Sequence, residues 1–235
     1  MVTPECRNLG HDYEHDTIKV WLSLLEKGHV VWDIGSNIGL YTILTSRAVS
    51  PGGQVVAFEP SPYSYKTTLK HIEINGLEDV ASVRRHAISM DDGSVLEFGI
   101  SEDNSADPTN RLHRPGGKMI EVPVESLDGI MTRSEREVDF VKIDIEGAEM
   151  DALAGAEKLM TSDEWRPVIL LAVHPMFLPE FGYETSQIAD LVFDRDYESF
   201  GISGRRESPV NFAEYLLVPR EKIDHVMDRL GWSGN

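Results

Sequence analysis

Short apolar runs alternate with longer segments of helical periodicity along most of this chain. The first pair is the run HVVWDI at residues 29–34, a predicted strand, followed by an apolar periodic segment at 38–49, a predicted helix. Further predicted strands lie at 54–59, 81–88, 138–143, 167–173, 199–202 and 212–218, and further predicted helices at 17–26, 63–74, 148–160, 186–193 and 221–230. Because strands that alternate with helices build crossover units, we expect an α/β fold with a doubly wound, mostly parallel sheet.

Residues 94–124 interrupt this alternation. Two strand-like runs at 94–100 and 119–124 bracket the polar stretch 101–117, SEDNSADPTNRLHRPGG. We interpret 94–124 as an inserted hairpin whose long polar loop is a predicted lid over a ligand site. The polar, aperiodic residues 1–15 are a predicted leader, and we interpret the whole of 1–235 as one domain.

Composition narrows the classes of protein that fit. The single cysteine, Cys6, excludes an internal disulfide and a cysteine-based metal site, and it favours a reducing, cytoplasmic compartment. The formal net charge of −18 repels phosphate backbones, so we expect no nucleic acid partner. This acidity, with arginine exceeding lysine, fits a salt-adapted protein and an ordinary acidic cytosolic protein equally well. No apolar run is long enough for a membrane span, and nothing indicates an oligomeric state.

A glycine-containing turn follows the first predicted strand. Ligands of parallel sheets bind beyond the carboxyl ends of the strands, so residues directly after each strand are candidates. Here the motif DIGSNIG contains Asp33, Gly35, Asn37 and Gly39. Its spacing matches neither the dinucleotide motif nor a phosphate-binding loop. Gly35 permits a tight turn and Gly39 allows the helix to approach a ligand, although a plain strand-to-helix turn with a capping residue has the same pattern.

Acidic and aromatic side chains follow the second and third predicted strands. Glu59, in AFEPSP, is placed to accept hydrogen bonds from the hydroxyls of a ribose. The alternative is that Glu59 only complements the dipole of the helix that follows Pro60. At the end of the third strand, His86, Ala87 and Ile88 would flank an adenine.

The fourth and fifth strands end in the densest group of ionisable residues. Asp144, Glu146 and Glu149 follow the fourth strand in VKIDIEGAE, with Lys142 inside the strand. These carboxylates could bind a metal, act as general bases or cap the next helix. His174 follows the fifth strand and is suited to accept a proton near neutral pH. The alternative is a structural histidine that hydrogen-bonds the backbone near Asp144.

Four motifs in this order carry a family resemblance: DIGSNIGLYT, AFEPSP, a helix ending in NGL, and VKIDIEGAEMDALAGA. The chain resembles the FkbM family of class I S-adenosylmethionine-dependent methyltransferases over residues 13–218, and the last motif is the most specific. The resemblance implies a seven-stranded, Rossmann-like methyltransferase sheet with helices on both faces. It also implies S-adenosylmethionine as the cofactor, bound by Asp33, Gly35, Asn37, Gly39, Glu59, Pro60, His86, Ala87 and Asp144.

The resemblance further implies methylation of a hydroxyl on a small molecule or glycan. We expect His174 to be the base, with Asp144 and Glu146 orienting the acceptor or the cofactor amine. One departure affects this assignment, because many relatives have Glu-x-His after the fifth strand where this chain has Ala172 two residues before the histidine. We expect no metal ligands.

Three alternatives remain open at this point. The first is a metal-assisted O-methyltransferase in which Asp144 and a neighbour bind magnesium. The second is a catalytically silent module that only binds S-adenosylmethionine. The third is a nicotinamide-dependent dehydrogenase, which the missing Gly-x-Gly-x-x-Gly motif disfavours.

Overall fold

A computed structural model of the protein describes residues 14–100, 111–112 and 118–232. Within these residues a mostly parallel, seven-stranded sheet forms the centre of the molecule, as predicted. Its strands are β1 (Val30–Ile34), β2 (Gln54–Phe58), β3 (Ala81–Arg84), β8 (Phe140–Ile143), β9 (Val168–Val173), β10 (Tyr197–Gly201) and β11 (Ala213–Pro219). The order across the sheet is β10-β11-β9-β8-β1-β2-β3. The crossover at β1 therefore separates one half of the sheet from the other.

Helices flank this sheet on both faces, as expected for a doubly wound fold. They are α1 (His15–Leu24), α2 (Leu40–Val49), α3 (Pro62–Ile74), α4 (Leu127–Arg133), α5 (Glu149–Ala154), α6 (Glu157–Thr161), α7 (Thr185–Asp194) and α8 (Ile223–Leu230). Single 3₁₀ turns occupy Leu178–Phe181 and Arg220–Lys222. Helix α1 begins at His15, two residues before the start of the predicted helix 17–26. Residues 1–13 of the predicted leader lie outside the described part of the chain.

Alternate residues of each strand enter two separate cores because strand side chains point in turn to opposite faces. In β1, Trp32 and Ile34 pack with α4, α5, α6 and α7, whereas Val31 packs on the other face with α1, α2, α3 and α8. The strands are buried along almost their whole length. This explains why their sequences read as continuous apolar runs rather than as alternating patterns.

A second sheet lies beside the first one. It comprises β4 (Ala87–Ile88), β5 (Val95–Ile100), β6 (Arg111–Leu112) and β7 (Lys118–Glu125) in the order β4-β7-β5-β6. Strands β5 and β7 pair antiparallel, at the positions where the sequence predicted two strands. The predicted lid falls mainly on residues 101–110 and 113–117, which lie outside the described residues. Its residues 111–112 form β6 rather than loop.

Two predicted elements differ from the structure, and one helix was not predicted. The predicted strand 81–88 is divided into β3 and β4, which belong to different sheets. The predicted helix 148–160 is divided into α5 and α6 at Gly155, where a Cβ atom would lie 2.4 Å from the carbonyl oxygen of Ser89. Helix α4 was not predicted, although Ser126 caps it by accepting a hydrogen bond from the amide of Gly129. Tertiary packing, which local periodicity does not record, causes the first two differences.

Candidate active site

A cavity of about 320 Å³ opens at the carboxyl ends of β1, β2, β8 and β9. Nine of the predicted site residues line it: Gly35, Asn37, Glu59, Pro60, His86, Ala87, Asp144, Glu146 and His174. Further wall residues include Glu14, Ser64, Ala172, Phe212 and Glu214. The parallel sheet therefore brings together residues that are far apart in the chain, because the strands on the two sides of the crossover at β1 end at the same edge.

Asp33 and Gly39, the other two predicted residues, lie behind the cavity wall rather than in it. The Asp33 carboxylate is buried, and its Oδ2 accepts a hydrogen bond of 2.6 Å from the Thr42 hydroxyl. Its Oδ1 has no hydrogen-bond partner among the described residues. Burial raises the pKa of Asp33, and the positive charge of Lys142 opposes that rise. Asp33 thus stabilises the turn after β1 through its hydrogen bond with Thr42, without lining the cavity.

Gly35 forms the tight turn between β1 and the cavity. Its φ of +78° is a left-handed conformation, and a Cβ atom there would lie 2.0 Å from the carbonyl oxygen of Asp144. Only glycine satisfies both conditions. Gly39 has a φ of +84° and packs against the side chain of Thr68. The two glycines therefore bring the backbone of β1 close to β8 and the first turn of α2 close to α3.

Glu59 is a buried carboxylate in the wall of the cavity. One oxygen accepts a hydrogen bond of 2.9 Å from the amide of Asn37 and the other accepts one of 2.8 Å from the amide of Ser61. A carboxylate has about four acceptor positions, so capacity remains for two further donors. Burial raises the pKa of Glu59 to about 7, although the two amide hydrogen bonds oppose this rise.

His86 lies in the link between β3 and β4, where the chain passes from the first sheet to the second. Its Nδ1 atom is buried and has no hydrogen-bond partner among the described residues. Ala87 follows as the first residue of β4. The wall at this end of the cavity therefore combines an unpaired ring nitrogen with apolar surface.

Lys142 and Asp144 form an ion pair at the end of β8. The distance from Lys142 Nζ to Asp144 Oδ2 is 3.1 Å, and the ammonium also lies 4.7 Å from the ring centroid of Tyr41. Burial acts against the charge on both side chains. The attraction between them outweighs it, so the pKa of Lys142 is raised and that of Asp144 is lowered. Asp144 is therefore held as a carboxylate in the cavity wall.

His174 contacts two carboxylates. Its Nδ1 atom lies 2.7 Å from Glu149 Oε1, and its Nε2 atom lies 3.8 Å from Asp144 Oδ1. Glu149 is fully buried, and both of its oxygens accept from the amide of Gly147, at 3.0 and 2.9 Å. A contact between His174 and the backbone near Asp144 was the structural alternative, whereas the observed partner of the ring is the Glu149 side chain.

The Glu149 contact determines which nitrogen of His174 is basic. An ionised carboxylate only accepts hydrogen bonds, so Nδ1 carries the proton and Nε2 keeps its lone pair in the neutral ring. Burial lowers the pKa of His174, but the hydrogen bond that its ring donates to Glu149 and the negative charges of Glu149, Asp144 and Glu146 raise it more, and the net direction is upward. The ring also lies 5.5 Å from that of Phe212.

Glu146 and Gly147 make the turn that separates β8 from α5. Both have positive φ angles, 43° and 105° respectively. A Cβ atom at Gly147 would lie 2.7 Å from the Cβ of Phe177. This turn directs Glu146 to the cavity wall and sends the chain into α5, whose first residue is Glu149.

Sequence reasoning missed two kinds of site residue. Glu149 was noted as one of several carboxylates, but its pairing with His174 depends on how α5 packs beside β9. Phe212 and Glu214 lie at the start of a predicted strand, whereas the carboxyl ends of parallel strands point only to residues that follow a strand. β11 is antiparallel to its neighbour β9, so its beginning lies at the cavity. The two apolar runs at 199–202 and 212–218 predicted the last two strands, but they did not show that the second of these strands runs antiparallel to the rest of the sheet.

The described residues contain neither a cluster of metal-ligating side chains nor a membrane-spanning helix. No group of three or more His, Cys, Asp or Glu side chains in 14–100, 111–112 and 118–232 is arranged to hold a metal ion. Within the same part of the chain, no helix has the length and apolar character needed to cross a membrane.

The family model of the methyltransferase FkbM domain matches residues 33–199 of this chain. This range includes the turn after β1, Glu59, the β8–α5 turn and His174. The chain belongs to the FkbM methyltransferase family. Its sequence resemblance, its Rossmann-like fold and its assignment as a methyltransferase are thereby confirmed.

Three curated relatives are between 25% and 30% identical to this chain over the aligned residues. Methyltransferase 1 of Beauveria bassiana is 30% identical over 146 residues, or 53% of this chain and 57% of that protein. The hexuronic acid methyltransferase AglP of Haloferax volcanii is 25% identical over 83% of this chain and 78% of its own. The 31-O-demethyl-FK506 methyltransferase FkbM of Streptomyces tacrolimicus is 29% identical over 57% and 61% respectively. The aligned part thus spans less than two thirds of two of these proteins.

A solved structure of the same family shares the fold. Methyltransferase FkbM from Methylobacillus flagellatus KT superposes with a TM-score of 0.52 at 18% identity, over 88% of this chain and 50% of that chain. At this identity the comparison supports the architecture alone.

Proposed function

We propose that this FkbM-family protein is an S-adenosylmethionine-dependent O-methyltransferase that acts on a hydroxyl group of a small molecule or glycan. The observation that carries the proposal is the His174–Glu149 pair. It presents a basic Nε2 atom in the same cavity wall as Asp144, and Gly35, Glu59 and His86 line the same cavity.

The residues at the β1–β3 end fit S-adenosylmethionine. The close backbone at Gly35 leaves room for the methionine part, and Glu59 has acceptor capacity for the two ribose hydroxyls. Pro60, Ala87 and the unpaired Nδ1 of His86 fit an adenine, which has both an apolar face and polar edges. Asn37 lies in the wall beside Glu59, while Asp33 and Gly39 act through the turn rather than by contact.

When bound, S-adenosylmethionine supplies an electrophilic methyl group on a sulfonium. The residues of this chain have two tasks, to orient the acceptor hydroxyl in line with that group and to accept its proton. His174 Nε2 is assigned the proton. Glu149 keeps the ring in the required tautomer and stabilises the imidazolium that forms. Asp144 and Glu146 are assigned to the orientation of the acceptor or of the cofactor amine.

Relatives support the acceptor class only by their names. One is named for hexuronic acid and another for 31-O-demethyl-FK506, a glycan component and a small molecule in the terms of this proposal. A cytoplasmic location and the absence of a nucleic acid partner remain predictions from the one cysteine and the net charge of −18.

The test is a calorimetric titration of the protein with S-adenosylhomocysteine, followed by transfer of labelled methyl to hydroxylated acceptors with excess chelator present. Binding and chelator-resistant transfer to oxygen support the proposal. Absence of binding contradicts it. Binding without transfer to any acceptor favours the silent module, and transfer that stops in chelator favours the metal-assisted enzyme.

A further inference from the structure

Glu214 occupies an unusual position in the cavity. It is the second residue of β11 and pairs with Ala172 of β9 in antiparallel register. Residues paired in this way lie side by side on the same face of the sheet. Ala172 has only a methyl side chain, so the longer carboxylate of Glu214 has room to reach the cavity, whose wall contains both residues.

Among the described residues, no other residue donates a hydrogen bond to the Glu214 carboxylate. In the part of the chain that the structure describes, its own backbone amide is the only group that donates to it, and no lysine or arginine pairs with it. The other carboxylates of the cavity differ in this respect. Glu59 accepts two amides, and Asp144 pairs with Lys142.

The surroundings of Glu214 are negatively charged and lie next to the assigned base. Burial raises the pKa of Glu214, and the charges of Glu14 and Asp144 add to this rise, whereas His174 opposes it. Phe212, two residues earlier, has 66% of its surface exposed and lies 5.5 Å from the His174 ring, between ring centroids. An acceptor that reaches His174 therefore passes an aromatic surface and a carboxylate.

We propose that Glu214 determines acceptor specificity: its carboxylate accepts a hydrogen bond from a second donor on the acceptor, and it disfavours acceptors that carry a carboxylate near the reacting hydroxyl. This inference rests on the proposed function. It names the acceptor class as a polyhydroxylated compound without negative charge at that site. The chain would thus differ in acceptor charge from a relative named for hexuronic acid.

The physical basis is the cost of bringing like charges together. A neutral donor at Glu214 gains a charge-assisted hydrogen bond, whereas an acceptor carboxylate would meet the negative charges of Glu214 and Glu14. Because Glu214 is only half-buried, solvent screening reduces the effect. We expect a preference for the neutral partner of about tenfold.

The experiment uses matched pairs of methyl glycosides of glucose, galactose and mannose and their uronates, which differ only in carrying a hydroxymethyl or a carboxylate group. Each is titrated into the protein saturated with S-adenosylhomocysteine. We expect the wild type to bind at least one neutral glycoside, and to bind its uronate about tenfold more weakly. The Glu214→Gln variant should weaken binding of the glycoside and lose most of the preference.

Glu164→Gln is the matched control because it removes the same charge from an exposed residue before β9, at the opposite end of the sheet. It should keep the wild-type preference. Glu214→Asp, which retains the charge on a shorter side chain, should weaken glycoside binding while still rejecting uronates. It also serves if Glu214→Gln does not fold.

Binding of S-adenosylhomocysteine separates the two proposals. If the wild type does not bind it, the proposed function fails. If all variants bind it and Glu214→Gln keeps the wild-type preference, or if the wild type binds uronates as well as glycosides or binds neither, the Glu214 proposal alone is wrong.

Discussion

The two ends of the cavity hold their polar groups in different ways. At the β1–β3 end, Glu59 is tied by backbone amides, so its position follows directly from the path of the chain. At the β8–β11 end, His174 is held by the side chain of Glu149, and Glu214 has no donor besides its own amide among the described residues. The first arrangement suits a ligand that is always the same, and the second suits one that varies. Substitutions should therefore separate cofactor binding from catalysis.

The largest expected effect is that of His174→Ala. We predict a fall in turnover of about 10² to 10⁴-fold, because the variant lacks the assigned base, with cofactor affinity nearly unchanged. His225→Ala, at an exposed position of α8, is the control. Turnover, melting temperature and S-adenosylhomocysteine affinity are measured on one preparation. A joint loss of stability and affinity, with unchanged turnover per folded and saturated enzyme, would assign His174 a structural role instead.

Glu59→Ala should have the converse effect. We predict a loss of cofactor affinity of roughly 2 to 4 kcal/mol, from the loss of a charged acceptor for two hydroxyls, with the fold retained. Calorimetry measures the affinity and circular dichroism the fold. Glu73→Ala, on the exposed surface of α3, controls for the loss of one negative charge. Unchanged affinity in a folded Glu59 variant would remove this residue from the cofactor site.

Glu149→Gln should have a smaller effect on turnover, about tenfold, because glutamine still offers an oxygen to Nδ1 but removes the charge. The diagnostic readout is the pH profile of kcat/KM. The charge of Glu149 raises the pKa of His174, so its removal should move the acid limb of the profile to lower pH. An unshifted limb would show that Glu149 does not act through the histidine.

The smallest effect concerns pH and cofactor affinity. Glu59 has a pKa raised by burial to about 7, and ribose hydroxyls donate best to its ionised form. Affinity for S-adenosylhomocysteine should therefore fall by up to about tenfold from pH 8 to pH 6. A Glu59→Gln variant should show a flatter profile, and an equally steep one would assign the dependence to another group.

The raised pKa of Glu59 also makes the stability of the protein depend on pH. The native state binds this proton more tightly than the unfolded chain, so the Glu59 contribution to the free energy of unfolding falls as pH rises from 4.5 to about 7. Chemical denaturation of the wild type and Glu59→Gln across this range measures the difference.

The fold and the site were predictable to different extents. Periodicity predicted the central strands because they are buried on both sides. Since ligands bind at the carboxyl ends of parallel strands, the residues that follow these strands then indicated Gly35, Glu59, Asp144 and His174. Periodicity could not show that Gly155 must interrupt a helix to accommodate a neighbouring carbonyl, since that contact is remote in sequence. The division of the predicted strand 81–88 into β3 and β4 could not be predicted for the same reason.

The partner of His174 illustrates a second limit. Glu149 begins a helix and is expected there as an ordinary acidic residue at a helix N-terminus. Its role depends on the turn at Gly147, which brings both of its oxygens to one amide and one of them to the ring of His174, directly after β9. Residue type and spacing indicated a carboxylate, but only the tertiary structure identified which one the histidine contacts.

The reversed direction of β11 has a consequence for how such an enzyme diversifies. The segment between β10 and β11 is a hairpin connection, not one of the crossovers that build the parallel sheet. Phe212 and Glu214, at the end of this connection and the start of β11, lie in the cavity wall. The length and composition of this connection can therefore change without disturbing the crossovers that carry the β1–β3 end. Exchange of residues 202–214 among homologues is accordingly a direct route to engineered variants with new methyl acceptors.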